Sequence, residues 1–191
     1  MECQQTRRFT PDIWPIQAVT LALFLAVFQS PTPSHAATAA LPEFQQMRAH
    51  YRAVTTGKSD ADSVAAQFEQ WHQQHPTEAL IELYRGALNC LVARDAWFPW
   101  NKMRYANRCM DQMDQSLLSL EAKGQSADLL HAYIERGFVN SHLPSLFGRQ
   151  DMAIEDFNAA QHMPQWLDLT DDERRLILER LAELQPSEQD A

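Results

Sequence analysis

Residues 93–102 read Ala93-Arg94-Asp95-Ala96-Trp97-Phe98-Pro99-Trp100-Asn101-Lys102, and they separate two segments with helical spacing. Proline suits the first turn of a helix because its φ is fixed and it lacks an N–H, and it disfavours helical backbone at the residue before it. This elbow, residues 93–102, therefore ends one helix near Arg94 and begins another at Pro99. Its three aromatic side chains have two interpretations: a buried plug that locks the two helices together, or a surface partly left to a partner.

Helical spacing of apolar residues extends from the elbow towards both ends of the chain. It predicts seven helices, at about residues 43–54, 60–73, 77–93, 99–121, 127–140, 151–162 and 170–184. Gly124 and Ser126 predict the end of the fourth helix and the N-cap of the fifth. The run Thr170-Asp171-Asp172-Glu173 predicts a capping box that opens the seventh. The predicted fold class is all-α, with the helices paired as antiparallel hairpins.

The N-terminal segment has the pattern of a secretory signal peptide. Arg7 and Arg8 provide a positive start, residues 16–28 form a short apolar core, and the small side chains of Ser34 and Ala36 suit a signal peptidase. We therefore predict a signal peptide over 1–36, a flexible N-terminus over 37–42, a helical domain over 43–185 and a disordered tail over 186–191. The mature protein is expected in the periplasm or secreted space, and the alternative is a protein anchored by an uncleaved N-terminal helix.

The net charge of the chain argues against one class of partner. The 191 residues carry a formal net charge of −9, with 16 basic and 25 acidic side chains. A general nucleic-acid binder needs a basic surface that displaces counterions from phosphates, so we predict no nucleic-acid partner.

The even-numbered helices repeat one packing pattern, in which apolar residues follow at intervals of four and three. The three sets are Val64, Phe68 and Trp71; Ala106, Met110 and Met113; and Ala153, Phe157 and Ala160. This pattern resembles the second helix of a tetratricopeptide repeat, and residues 147–157 resemble the turn and second helix of that family most closely. Gly86 and Gly137 resemble the glycine of the family's first helix, where the partner helix approaches closely, and Tyr133 resembles its leading aromatic residue.

The resemblance implies a short α-solenoid of tetratricopeptide-like type that binds a protein or a peptide. It covers most of residues 43–162, but the units are longer than the family period of about 34 residues. The central unit also has methionines where the family has Phe and Ala.

The cysteines of the mature chain are predicted to be unpaired with each other. If the elbow is centred near Trp97, antiparallel register places Cys90 opposite residues 102–104. Cys109 then lies about 9 Å further along the helix axis, which is beyond disulfide reach.

Catalytic signatures do not stand out. His72 and His75 share a helical face and could contribute to a metal site, but no carboxylate or cysteine close in sequence completes it. The chain lacks the G-x-S-x-G, H-E-x-x-H, C-x-x-C and phosphate-loop motifs. We therefore predict no enzyme activity, no cofactor and no metal site.

The elbow leads into a cluster of cations that is unusual in an acidic protein. Lys102, Arg104 and Arg108 crowd the first half of the fourth helix, where the helix dipole disfavours positive charge. Acidic residues of the third helix, Glu78 or Glu82, could neutralise them. The alternative is a partner-contact patch of Trp97, Trp100, Lys102, Arg104 and Arg108 that attracts an acidic segment.

These observations favour a non-catalytic periplasmic scaffold or adaptor that binds a protein or peptide. The alternative is a small-molecule carrier or cryptic enzyme that uses a pocket between hairpins. A concave groove lined by the odd-numbered helices supports the first interpretation, and a cavity with converging polar groups supports the second.

Overall fold

A computed structural model describes residues 42–124 and 126–185. The signal peptide predicted over 1–36 and the tail predicted over 186–191 lie outside these residues. The described chain is all-helical, which confirms the predicted fold class. Its α-helices are α1 (Pro42–Thr55), α2 (Ala61–Gln74), α3 (Ala79–Asp95), α4 (Pro99–Lys123), α5 (Ala127–His142), α6 (Gln150–Gln161) and α7 (Asp171–Leu184). Short 3₁₀ turns cover Ser145–Phe147 and Pro164–Asp168.

The helix boundaries follow local chemistry in the sequence. Pro99 is the first residue of α4, and Phe98 before it is extended, with φ −92° and ψ 135°. Gly124 follows the last residue of α4 with φ 90°, a conformation that glycine adopts without a steric penalty. The Ser126 hydroxyl accepts a hydrogen bond from the backbone N–H of Leu129. The predicted capping box at Thr170 and Glu173 opens α7. The predicted boundaries are confirmed at these four points.

Successive hairpins stack through the faces that the repeat pattern predicts. Helix α3 packs along α4 and α5 packs along α6, while α2 and α5 both contact α3. Of the nine residues in the repeated pattern, all except Met110 are buried. The predicted close approach at the two glycines is confirmed. A Cβ atom on Gly86 would lie 2.9 Å from Met113 Cγ, and one on Gly137 would lie 2.6 Å from the Phe157 ring.

A cluster of aromatic rings joins α1, α2 and α3. Tyr84 is almost fully buried at its centre. The rings of Phe44 and Tyr51 meet it edge-on at centroid distances of 5.3 and 5.2 Å, and Phe68 stacks on it at 6.1 Å. These contacts hold the first hairpin on the second.

The prediction that Cys90 and Cys109 are unpaired is wrong, because they form a disulfide with a Cα–Cα distance of 5.4 Å. The linker over residues 96–98 is centred on Trp97 as predicted, but α4 is displaced along α3, so the centre of the antiparallel register set by the Cys90–Cys109 pair lies between Pro99 and Trp100. In an antiparallel helix pair, moving the centre of the register by one residue moves the residue opposite a given position by two. The displacement therefore moves the residue opposite Cys90 by about 7 Å along α4, which brings Cys109 within reach.

Removing this disulfide is expected to lower stability. The Cys90→Ser/Cys109→Ser double variant should lose about 2–4 kcal/mol, since the cross-link restricts a loop of 19 residues in the unfolded chain. Urea unfolding measures the loss. Alkylation of both cysteines in protein that was never reduced would contradict the pairing.

Candidate functional site

A large cavity lies on the face formed by the odd-numbered helices. Its volume is about 1120 Å³, slightly above the usual range of ligand sites. Helices α1, α3, α5 and α7 line it together with the start of α4 and the loop over residues 143–147. Apolar side chains form much of the wall, among them Leu91, Ile134, Phe138 and Ile177. This composition suits a ligand with a substantial apolar body.

Polar groups converge on one part of this cavity. Glu135 on α5 interacts with the hydroxyls of Tyr51 and Tyr84 and with the guanidinium of Arg48. Burial raises the pKa of Glu135, and the tyrosines and nearby arginines oppose that shift only in part. Burial followed by the negative charge of Glu135 also raises the pKa of Tyr51. The two tyrosines therefore stay protonated at neutral pH and can donate hydrogen bonds.

Within this cluster, the guanidinium of Arg48 is the group that is available to bind an anionic ligand. Arg48 is half-buried, and no carboxylate in 42–124 or 126–185 lies within 4 Å of its guanidinium. The other arginine of α1, Arg52, is already engaged by Glu173 of α7 at 3.6 Å. Arginine binds carboxylate and phosphate oxygens through a rigid fork of N–H donors, so Arg48 can hold an anionic group at the cavity wall.

His131 lies one helical turn before Glu135 and also faces the cavity. Burial, followed by the positive charge of Arg48, lowers the pKa of His131 to about 4. Its imidazole is therefore neutral at physiological pH, mainly because it is buried, and it adds no charge to the cavity wall.

The depressed pKa of His131 predicts a loss of stability in acid. The unfolded chain takes up a proton on this side chain near pH 6.5 and the folded chain only near pH 4, so stability falls as the pH decreases across that window. We expect a loss of about 1–3 kcal/mol from this imidazole. Urea unfolding of wild type and His131→Gln at pH 7 and at pH 4.5 isolates its contribution. Parallel pH profiles of the two proteins would contradict this assignment.

The structure leaves the aromatic side chains of the elbow in solvent. Trp97 is 88% exposed, Trp100 66% and Phe98 47%, so the interpretation as a buried plug is wrong. Phe98 and Trp100 stack on each other with their ring centroids 4.7 Å apart. Met103, one turn into α4, is also exposed and lines the cavity.

The predicted cations of α4 are exposed as well, but they do not converge on one group. The ammonium of Lys102 donates to the Arg94 carbonyl at 3.0 Å, and the guanidinium of Arg104 lies over its neighbour Tyr105. Glu82 is engaged by Arg85 and Gln112 rather than by these cations. Of the five residues proposed as a partner patch, only Lys102 lines the cavity.

Sequence reasoning missed the polar cluster at the cavity wall, in which Arg48 and Glu135 line the cavity and Tyr84 is buried next to them. Arg48, Tyr84 and Glu135 lie on three different helices, and no local motif connects them. One pattern could have indicated the cavity, because α5 carries His131, Glu135 and His142 on the same face as Phe138. An amphipathic helix usually keeps its titratable residues on the solvent side, so titratable residues on the inward face of α5 indicate a polar site there.

The histidine pair considered for a metal has other contacts. His72 Nδ1 lies 3.5 Å from Glu82, and the His75 ring packs edge-on against Trp71. Within the described ranges, no three histidine, cysteine or acidic side chains are grouped as a metal site would require. None of the helices between residues 42 and 185 that the structure describes has the length and apolar character needed to cross a membrane.

Comparison of the chain with protein-family models, with curated proteins and with solved structures gives no match. The tetratricopeptide resemblance therefore depends on the residues quoted above.

Proposed function

We propose that this protein is a non-catalytic carrier that binds an amphipathic ligand in the cavity of the odd-numbered helices. The observation that carries this proposal is the combination of an apolar cavity of about 1120 Å³ with a half-buried arginine, Arg48, whose guanidinium has no carboxylate within 4 Å among the described residues, although it interacts at longer range with Glu135 and Glu173. The apolar body of the ligand would lie along the walls and its anionic head at Arg48.

The dimensions of the cavity support a long ligand. Ala87 and Arg94, the first and last residues of α3 that line the cavity, are seven residues apart, which is about 10 Å along the helix axis. A ligand held at Arg48 can therefore extend past Leu91 towards the elbow. Burying that apolar length would supply most of the affinity, and the arginine would select the head group.

A fluorescent long-chain carboxylate tests this proposal. The full chain should bind it saturably, and Arg48→Ala should weaken binding about tenfold or more, as expected for a hydrogen bond to a charged group. Lys58→Ala, on an exposed turn, is the matched control. The corresponding long-chain alcohol should bind wild type and Arg48→Ala equally. Absence of saturable binding, or equal effects of the two substitutions on the carboxylate, would contradict the proposal.

A peptide or protein ligand is the second candidate, and one observation favours it. The cavity walls are formed by the first helices of the hairpins, the face that would bind a peptide if the tetratricopeptide resemblance holds. A scaffold or adaptor would then hold an apolar segment of its partner there. A periplasmic pull-down with and without the long-chain carboxylate separates the candidates, because a segment in the cavity would be displaced.

Export to the periplasm or secreted space remains part of the proposal. It rests on the charged start, the short apolar core and the small residues at positions 34 and 36. N-terminal sequencing of the purified protein tests it: cleavage near Ala36 supports export, and a retained Met1 on membrane-bound protein supports the anchored alternative.

A further inference from the structure

The elbow carries an apolar surface that the fold does not use. Trp97 and Trp100 are mostly exposed, and the stacked Phe98 and half-exposed Met103 extend the same surface. Large aromatic side chains usually contribute to a protein core, so exposing four apolar side chains together at one corner has no benefit for folding. This concentration indicates a surface that something else covers.

Cations border these aromatic side chains. Trp100, Arg104 and Arg108 follow at intervals of four residues and so share one face of α4. Neither arginine has an acidic side chain within ion-pair distance in the described part of the chain. The nearest acid in sequence, Asp95, is engaged by Arg94 at 2.7 Å. A local positive surface therefore stands out on a chain with a net charge of −9.

We propose that this elbow patch docks on an anionic lipid surface. The patch consists of Trp97, Phe98, Trp100, Met103, Arg104 and Arg108. Tryptophan prefers the head-group level of a bilayer, where its ring is half in apolar surroundings, and lysine and arginine are attracted by anionic lipids. The acidic remainder of the protein is repelled by such a surface, so only the elbow is favoured to face it.

The shape of the patch favours a bilayer over an acidic protein segment. The aromatic residues lie exposed on a three-residue linker and the first turn of α4, and none of the three rings lines the large cavity. Protein hot spots lie in well-packed pockets, whereas a bilayer accepts protruding rings without a matching pocket.

The patch also borders the cavity. The cavity is lined by two elbow residues, Pro99 and Lys102, and by Met103, which follows the elbow directly. The exposed Leu146 lines the cavity as well. Docking through the elbow would therefore hold one side of the cavity rim near the lipid. The docking proposal itself does not depend on what the cavity binds.

Vesicle binding by the full chain tests the proposal. The probes are vesicles of phosphatidylcholine alone and of phosphatidylcholine with phosphatidylglycerol, each with brominated acyl chains that quench nearby tryptophan. We expect preferential binding to the anionic vesicles, weakened by salt, with quenching of tryptophan fluorescence. Trp97→Ala/Trp100→Ala should weaken binding at least tenfold and remove most of the quenching. Arg104→Gln/Arg108→Gln should abolish the preference for anionic lipid.

Matched controls separate docking from general effects. Leu167→Ala removes another highly exposed apolar side chain, and Arg175→Gln removes an exposed cation on α7, so neither should change vesicle binding. Thermal unfolding checks that every variant is folded. Binding that is unaffected by both patch variants would overturn the proposal, because another segment such as residues 16–28 would then be responsible. Capture of an acidic peptide through Arg104, without quenching by brominated lipid, would also overturn it and assign the patch to a protein partner.

Discussion

Asp156→Ala is expected to destabilise the protein by about 3–5 kcal/mol, which makes it one of the two largest effects we predict. Asp156 on α6 is only 1% exposed, and its two carboxylate oxygens accept hydrogen bonds from Arg136 on α5 at 2.7 and 2.9 Å. Arg136 also donates to Asp114 of α4 at 3.0 Å, so these charges join three helices.

The large cost follows from what the substitution leaves behind. Burial opposes the charged form of Arg136, but the two aspartates outweigh burial and raise the pKa of that guanidinium. Burial also raises the pKa of Asp156 to about 6, because Arg136 offsets it only in part, so the cost of the substitution comes from the charge left on Arg136 rather than from a favourable carboxylate. Without Asp156 the arginine remains charged and mostly buried, with Asp114 alone to balance it. Urea unfolding measures the loss.

The matched control for this prediction is an exposed ion pair. Glu179 lies 3.8 Å from Arg175 on the outer face of α7, and both side chains are more than half exposed. Glu179→Ala should change stability by less than about 1 kcal/mol. If Asp156→Ala costs no more than this control, the buried network contributes little and α4, α5 and α6 are held by apolar packing alone.

Phe157→Ala is the second large effect, also about 3–5 kcal/mol. Phe157 is fully buried on α6, lies against Gly137 and meets Phe138 edge-on at a centroid distance of 5.1 Å. Its ring also belongs to the cluster that holds Ile177 of α7. Truncation would leave a cavity between rigid helices that cannot collapse to fill it.

The control for Phe157 is an apolar side chain that leaves no cavity. Leu167 is 79% exposed in the 3₁₀ turn between α6 and α7. Leu167→Ala should change the free energy of unfolding by no more than about 0.5 kcal/mol. A loss below about 1 kcal/mol for Phe157→Ala would mean that the repeat pattern does not mark the core.

The outcomes at particular residues show which features a sequence can predict. Pro99, Gly124 and Thr170 act on their own backbone, so the boundaries they define could be predicted locally. Phe68 and Phe157 could be assigned to the core because helical spacing determines which residues share a face. These local effects were sufficient for the fold class.

Features that depend on the distance between helices could not be predicted in the same way. The pairing of Cys90 with Cys109 depends on how far an extended linker carries the chain before α4 begins. The cavity depends on Arg48 and Glu135, which are distant in sequence and are brought together by packing of the hairpins. The sequence left the exposure of Trp97 open between two interpretations, because hydrophobicity alone does not distinguish a buried side chain from one that a partner covers.

The contact between α1 and α7 has a consequence for cooperativity. In an ordinary helical solenoid each repeat contacts only its neighbours, so the two ends can unfold separately. Here α1 and α7, the outermost helices of the part of the chain that the structure describes, line the same cavity, and Arg52 and Glu173 link them directly. If α1 or α7 unfolds, the cavity loses one of its walls, and the other helix loses contacts across the cavity. These two helices are therefore coupled to each other, and a ligand that spans the cavity would strengthen this coupling by binding both.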